Sequence, residues 1–399
     1  MTEAERATFR DVAAVGEFRA LFAAQLASVA GDQLARVAVS ILVFSRTQSP
    51  AWAAAAYALT FLPDLVSGPL LAWLADRYPR RSVMVAADLA RTVLVAAMAL
   101  PGTPLPVVAA LLTGVQLLNA PWAAARAALL PQVLPGDRFA VGMAVFTITT
   151  QTAQVVGFAA GGLAVAGLTP HGALWLDAGS FLVSALVVRF GVKHRATPHH
   201  ERSRTPWLSG IAVVWRDRRL TALIALGCVS GFAIAGEAVV TPYAAEIGGG
   251  AVAVGFLLAA YAIGNVIGVT ALTRFPPVRR RGLLVPLAVL SCAPLTLCVS
   301  NPGVPATMVL WAFSGAASAY NLTASTLFVQ SVPDALRART FGVAITGLRV
   351  SQGAGVLAAG LAAEYLAPHI VVAIAGALGM LAALGAGWWW HKATRQPAR

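Results

Sequence analysis

Acidic residues that lie inside long apolar stretches are the first candidates for chemistry: Asp32, Asp64, Asp88, Asp177 and Glu237. An ionised carboxylate is costly there unless it has a partner, contacts water or takes up a proton. A carboxyl group that gains and loses a proton in such surroundings is suited to proton exchange. We therefore expect Asp32, Asp64 and Glu237 to take part in proton coupling.

Asp32 has a second interpretation, because Arg36 follows it at i+4. The two side chains could form a static pair that keeps Asp32 ionised, or Arg36 could bind an anionic group of a substrate. Glu237 has no arginine at i+4 and is the better candidate for a titrating group. Asp64 follows Pro63, a residue type that frees a backbone carbonyl and kinks helices.

Uncharged polar side chains in the apolar stretches could hydrogen-bond a substrate or another helix. With Arg36, we expect these residues to line a substrate cavity: Gln116, Asn119, Gln151, Gln154, Asn321 and Gln352. No nucleophile and base occur at a catalytic spacing, and no G-x-x-x-x-G-K-[ST] pattern for phosphate binding is present. The three cysteines lie in apolar runs without the spacing of metal ligands. The sequence thus predicts no enzyme, metal site or cofactor, and a proton gradient as the energy source.

The elements that must hold these residues follow from composition. Of 399 residues, 58% are hydrophobic and 11% are charged, and the mean hydropathy is +0.74. A soluble domain carries roughly 25% charged residues, so the chain is predicted to be a polytopic membrane protein. Its net charge of +13 lies mostly between the apolar runs, which argues against nucleic acid as a partner.

Apolar runs long enough to cross a bilayer as helices predict an all-α integral membrane protein with twelve spans. In the first half they cover residues 20–44, 51–75, 83–100, 106–125, 143–167 and 173–190. In the second half they cover residues 221–244, 251–273, 283–300, 305–329, 341–366 and 370–390.

Lysine and arginine outside the spans indicate the orientation. They fall before the first span, after the even-numbered spans and in the tail, whereas the opposite side carries only Arg46. Both termini are therefore predicted to be cytoplasmic. The polar segment 191–219 is predicted to be a central cytoplasmic linker whose second part, from Trp207, forms a basic interfacial helix. Its histidines are better explained as a solvated linker than as a metal site.

The two halves of the chain resemble each other. Residues 134–164 align with residues 332–362, which places Gln154 opposite Gln352, and Gly31-Asp32 faces Gly236-Glu237 in the first span of each half. A repeat of six spans in one orientation is typical of transporters with two bundles around a central site. We predict an N-terminal bundle over residues 1–190, the linker over 191–219 and a C-terminal bundle over 220–399.

The loop after the second span reads GPLLAWLADRYPRR and resembles the cytoplasmic signature G-x-L-a-D-R-x-G-R-R of the major facilitator superfamily. Further stretches, such as GDQLARVAVSILVF, LDAGSFLVSAL and VPDALRARTFG, resemble its drug:proton antiporter branch, which includes macrolide-efflux and enterobactin-export proteins. The resemblance implies the major facilitator fold, with two pseudo-symmetric six-helix bundles. The fifth span departs from the antiporter pattern, because Phe158 stands where that pattern has proline.

The resemblance also implies a conformational latch at the cytoplasmic edge, formed by Asp76, Arg77, Arg80 and Arg81. Asp76 would accept hydrogen bonds from a helix N-terminus. The alternative is that these arginines only anchor the loop on the cytoplasmic side. Asp88 and Arg91, at i and i+3, are expected to pair and to bridge to the Asp76 loop.

Together these features predict proton-coupled efflux of a small amphiphilic molecule, such as a drug, an antibiotic or a siderophore-like product, across a bacterial cytoplasmic membrane. The expected partners are that substrate, protons and the lipid bilayer, and the expected state is a monomer. Uptake or facilitated diffusion of a small solute is the alternative within transport. A membrane receptor that does not transport is a third interpretation.

Overall fold

The computed structural model describes residues 9–60, 62–63, 66–67, 71, 74–135, 137–195, 214–332 and 334–395. Asp64, the side chain of Asp76, and most of the predicted interfacial helix lie outside the described residues. Within the described ranges the secondary structure is helical and contains no strand. The prediction of an all-α chain is therefore confirmed, as apolar runs in a bilayer require, because a helix satisfies its own backbone hydrogen bonds.

Contacts group the chain into two compact units. Unit 1 comprises Met1–Leu42 and Leu59–Arg202, and unit 2 comprises Val43–Ala58 and Ser203–Arg399. Residues 43–58 thus pack with the second half of the chain, although in the sequence they belong to the first half. The predicted bundle boundaries at residues 190 and 220 stay a prediction.

The helices that contribute to unit 1 follow the predicted spans closely. They are α1 (Phe9–Ala13), α2 (Gly16–Thr47), α3 (Pro50–Leu59), α4 (Leu74–Arg77), α5 (Arg80–Met98), α6 (Leu105–Leu117), α7 (Asn119–Val133) and α8 (Asp137–Gly191). The end of α2 and nearly all of α3 belong to unit 2. Helix α8 is interrupted at Thr169, whose φ of 77° and ψ of 163° are not helical and which precedes Pro170. It therefore holds two of the predicted spans, since proline disfavours the α conformation of the residue before it.

The helices of unit 2 include a broken segment where the seventh span is predicted. They are α9 (Arg218–Cys228), α10 (Ser230–Ala233), α11 (Ala235–Ala238), α12 (Val240–Glu246), α13 (Gly250–Thr273), α14 (Pro277–Thr296), α15 (Val304–Ala317), α16 (Tyr320–Gln330), α17 (Asp334–Ala362) and α18 (Pro368–Arg395). A short 3₁₀ helix, Leu297–Ser300, continues α14. The four helices α9 to α12 share the predicted span 221–244.

Eight helical stretches in the described part of the chain are long and apolar enough to cross a bilayer. The stretch Val141–Gly191 covers two predicted spans. The second span lies partly outside the described residues, α5 carries several charges, and the tenth span is divided between α15 and α16. These three features, together with the one stretch that holds two spans, account for the difference between eight stretches and twelve predicted spans.

Glycines bring helices into close contact at repeated positions. A Cβ on Gly157 would lie 2.7 Å from the carbonyl oxygen of Ala30, and one on Gly355 would lie 2.2 Å from that of Gly231. Gly157 and Gly355 are equivalent in the sequence repeat, and each packs against the first predicted span of its own half. Small residues allow this approach in membrane helices.

Candidate functional site

A buried ion pair lies inside unit 1. Asp88 and Arg91 on α5 are 0% and 1% exposed, and Arg91 Nη1 lies 3.6 Å from Asp88 Oδ1. Trp122 Nε1 and Ser184 Oγ donate to Asp88 Oδ2 at 2.9 and 2.6 Å. Two donors and one cation therefore compensate the buried carboxylate, as burial of a charge requires.

The guanidinium of Arg91 connects α5 to two further helices. Its Nη2 donates to Asn119 Oδ1 on α7 at 3.1 Å, and its Cζ lies 5.2 Å from the centre of the Phe181 ring on α8. The predicted pairing of Asp88 with Arg91 is thus present. Their contacts in the described residues lie among α5, α7 and α8, and their predicted bridge to the Asp76 loop stays a prediction.

Asp177 is a second buried carboxyl group of unit 1, with 1% of its surface exposed. Ser180 Oγ donates to its Oδ1 at 3.2 Å, whereas its buried Oδ2 has no hydrogen-bond partner in the described part of the chain. A Cβ on Gly31 would lie 2.3 Å from Asp177 Oδ1, so only glycine allows α2 to approach α8 at this level. The carboxyl group therefore lies directly beside the backbone that precedes Asp32.

Asp32 lines a cavity of about 10 Å³, which is the room that a single water molecule needs. Arg36, Thr60, Gln116 and Asp177 line the same cavity. Arg36 Nη2 donates to the carbonyl oxygen of Thr60 at 3.4 Å. The carboxyl groups of Asp32 and Asp177 lie in the wall of this cavity, close enough to interact electrostatically.

The carboxyl group of Glu237 on α11 is half-buried in unit 2. It accepts a hydrogen bond at Oε2 from the hydroxyl of Tyr57 on α3, and Tyr57 is 2% exposed. Tyr261, which donates to Ser318 Oγ at 2.9 Å, lies close enough to interact electrostatically with Glu237. Two tyrosine residues, Tyr57 and Tyr261, thus interact with this carboxyl group.

Two predicted cavity residues of unit 2 have intramolecular partners. Gln352 Nε2 lies 3.4 Å from Ser230 Oγ, to which it donates, while its buried Oε1 has no hydrogen-bond partner. Asn321 Nδ2 donates to the carbonyl oxygen of Ser318 at 3.2 Å. In unit 1, the side chains of Gln151 and Gln154 are half-buried. Contact of these four residues with a substrate stays a prediction.

Two of the predicted latch arginines donate to backbone carbonyl groups of other helices. Arg80 Nη1 donates to the carbonyl oxygen of Ala128 at 3.0 Å, and Arg81 Nη2 donates to that of Arg189. Arg77 is exposed and lies over the Tyr78 ring. Cations near C-terminal helix carbonyls are favourable, which fits both the latch and a simple anchor.

Several polar side chains were missed by sequence reasoning. Three of them donate hydrogen bonds to carboxylates: Tyr57, Ser184 and Trp122. They lie in apolar or small-residue stretches, and nothing in the sequence marks them as partners of a carboxylate. Arg126 directly follows the predicted fourth span, but its guanidinium lies 4.9 Å from the centre of the ring of Phe146, a residue of the core of unit 1. Arg349 inside α17 is a cation in a membrane span, and that position alone could have identified it.

Comparison with known proteins gives consistent results. The profile described as Major Facilitator Superfamily matches residues 21–278. The uncharacterized MFS-type transporter YfiS of Bacillus subtilis (strain 168) is 26% identical over 171 residues, 43% of this chain and 41% of YfiS. The chain thus matches less than half the length of that relative.

Solved transporter structures share the fold at low identity. A POT family transporter in complex with 5-aminolevulinic acid has a TM-score of 0.76 at 11% identity, with 98% of this chain and 99% of that chain covered. A bacterial homologue of the human lysosomal transporter Spinster, in an inward-facing and unoccupied conformation, has a TM-score of 0.65 at 14% identity, with 94% of each chain covered. At such identities the likeness concerns the fold alone.

Proposed function

Because this chain belongs to the Major Facilitator Superfamily, we propose that it is a proton-coupled exporter of small amphiphilic molecules, close to the drug:proton antiporter branch. Membership makes the chain a multi-pass membrane transporter rather than an enzyme. The proton coupling, the outward direction, the substrate class and a monomeric state in a bacterial cytoplasmic membrane are the proposal.

The observation that carries the proposal is the pair of half-buried carboxyl groups at repeated positions, Asp32 in unit 1 and Glu237 in unit 2. Each lies on an apolar helical segment and beside polar groups that can stabilise either protonation state. Glu237 accepts from the Tyr57 hydroxyl, and Asp32 faces a cavity with room for one water molecule. A group that is neither sealed nor fully solvated can exchange a proton during transport.

In the proposed cycle, protons from outside neutralise Glu237 or Asp32, and the substrate leaves as they bind. The bundles alternate access around the site. Arg36 binds an anionic group of the substrate or restrains Asp32, while Gln116, Gln154 and Gln352 shape the cavity. Asp64 is a further coupling candidate. The latch of Asp76 with Arg77, Arg80 and Arg81 biases the two states.

Everted membrane vesicles from an exporter-deficient host test this proposal. A pH gradient is imposed, drugs and cationic dyes are added one by one, and release of lumenal protons is followed with a pH-sensitive acridine dye. We expect at least one compound to release protons with the wild type, and neither Asp32→Asn nor Glu237→Gln to respond. Glu246→Gln is the matched control. Glu246 also lies in unit 2, but it is the last residue of α12 and pairs with His369.

The proposal fails if both variants still exchange protons for substrate at the wild-type rate. Movement of substrate without any response to the gradient would instead support facilitated diffusion. Proton-driven movement in the opposite direction would support uptake. Immunodetection of each variant in the membrane fraction ensures that a lost signal is not lost protein.

A further inference from the structure

The last turns of α18 and the start of α9 border a pocket of about 490 Å³ within unit 2. Its lining consists of Arg218, Gly385, Trp388, Trp389, Lys392 and Ala393. We propose that this pocket binds one anionic phospholipid, with the phosphate held by Arg218 and Lys392. The inference concerns a membrane lipid and does not depend on the proposed transport substrate.

The lining has the chemistry of an anion site at a membrane interface. Among the described residues it contains two cations and two indole rings but no carboxylate. Lys392 Nζ lies 5.1 Å from the centre of the Trp388 ring, which positions the ammonium group above the indole. The neighbouring Asp217 uses its Oδ1 to accept from the backbone N–H of Arg219 at 2.7 Å, as the N-cap of α9.

Side-chain contacts connect the helices that form the walls of the pocket. Arg219 Nε donates to the carbonyl oxygen of Ala393 at 3.3 Å, which ties α9 to the end of α18. Arg281 at the start of α14 lies 5.6 Å from the centre of the Trp390 ring. The first of these contacts joins the two walls of the pocket, and Arg218 and Lys392 directly precede its two partners in the sequence.

Two features favour a lipid over a soluble anion. Trp388 is 67% exposed and Trp389 is 36% exposed, and tryptophan in such positions lies at the headgroup level of a bilayer. Gly385 lies seven residues before Lys392, about 10 Å along the helix toward the apolar part. Outside the backbone of α18 itself, no atom of the described residues lies within 4 Å of the position of a Cβ on Gly385, so an acyl chain can follow the helix surface there.

Charge complementarity identifies the headgroup. Basic clusters at the cytoplasmic end of membrane helices attract anionic lipids, with about 1 kcal/mol for each lysine or arginine. The basic end of α18 is the end that the distribution of lysine and arginine predicts to be cytoplasmic. A zwitterionic headgroup carries no net charge, whereas the headgroup of phosphatidylglycerol carries a net negative charge that complements the two cations.

Native mass spectrometry of the purified full chain tests the site, with phosphatidylglycerol and phosphatidylcholine titrated separately. We expect the wild type to retain one phosphatidylglycerol in preference to phosphatidylcholine. Arg218→Gln with Lys392→Gln should weaken phosphatidylglycerol binding about 30-fold, the equivalent of about 2 kcal/mol. Gly385→Leu should block binding by filling the groove, at a position where an added Cβ meets no other described atom outside the backbone of its own helix.

Matched controls come from unit 1. Lys193→Gln removes a cation whose side chain is 81% exposed, and Gly179→Leu adds a side chain where no atom lies within 4 Å of the Cβ position. Both should bind phosphatidylglycerol as the wild type does. The proposal is overturned if the double variant and Gly385→Leu bind as tightly as the wild type, or if phosphatidylcholine binds equally well. Far-UV circular dichroism of each variant verifies that it is folded.

Discussion

The hydroxyl of Tyr57 donates a hydrogen bond to the carboxylate of Glu237, although 180 residues separate them in the sequence. This contact is possible because residues 43–58 pack with the second half of the chain, within unit 2. Nearby, Glu364 Oε1 accepts from Ser49 Oγ and from the backbone N–H of Ala51, the latter at 3.0 Å. Gly360 also lies against Ala51 and Ala54. The segment around α3 is therefore held in unit 2 by polar and packing contacts together.

Replacing Tyr57 by phenylalanine removes the hydroxyl group that donates to Glu237. We expect Tyr57→Phe to lower the free energy of unfolding in detergent by about 1 kcal/mol, the usual net value of one hydrogen bond. Combined with Glu237→Gln, it should show a nonzero coupling energy in a double-mutant cycle. Tyr365→Phe, at a tyrosine that is 89% exposed, is the control. Strict additivity of the two changes would contradict the contact.

Glu364 makes the stability of unit 2 depend on pH. The Ser49 hydroxyl and the Ala51 N–H hold the pKa of this carboxyl below its ordinary value of 4.5. Because the folded-state pKa is depressed, the contribution of Glu364 is present above the unfolded pKa and is lost as pH falls through the folded pKa. Glu364→Gln should therefore lower the melting temperature at neutral pH, and the difference from wild type should vanish in acid. A difference that is constant down to pH 3 would be inconsistent with this.

Removing one member of the buried ion pair Asp88–Arg91 should lower the stability of the protein. Arg91→Met leaves Asp88 without its cation and should destabilise the protein by roughly 3–5 kcal/mol. Adding Asp88→Asn removes the uncompensated charge and keeps an acceptor for Trp122 and Ser184, so the double variant should be more stable than Arg91→Met alone. Chemical denaturation in detergent micelles measures both, with the exposed Lys193→Met as control. Equal losses in the single and double variants would mean that charge is not the cause.

Close packing of α13 against α15 depends on glycine. A Cβ on Gly264 would lie 1.9 Å from the carbonyl oxygen of Ala312, and one on Gly268 would lie 2.0 Å from that of Ala316. Gly264→Ala and Gly268→Ala must push the two backbones apart, which should cost roughly 1–3 kcal/mol each. Gly282→Ala on α14 meets no atom within 4 Å and should be neutral or slightly stabilising. Thermal unfolding of the purified variants gives the comparison, and an equal effect of all three would refute the packing argument.

Local rules predicted much of the secondary structure. The predicted spans 251–273 and 370–390 agree with α13, Gly250–Thr273, and α18, Pro368–Arg395. The i,i+3 spacing correctly brought Asp88 and Arg91 together. For Asp32 and Arg36, the i+4 spacing permits a pair but does not require it, and their pairing stays a prediction. Arg36 also donates a hydrogen bond to the carbonyl oxygen of Thr60, which lies 24 residues away.

The sequence by itself determined that this protein is an all-helical membrane transporter of the Major Facilitator Superfamily. Hydropathy, charge distribution and a signature loop act over short distances along the chain, and a bilayer forces apolar runs to form helices. Only the tertiary structure decided which polar groups meet: Tyr57 with Glu237, Trp122 with Asp88, and Asp177 with the backbone at Gly31. Those contacts depend on how helices far apart in sequence pack, and no local spacing encodes that packing.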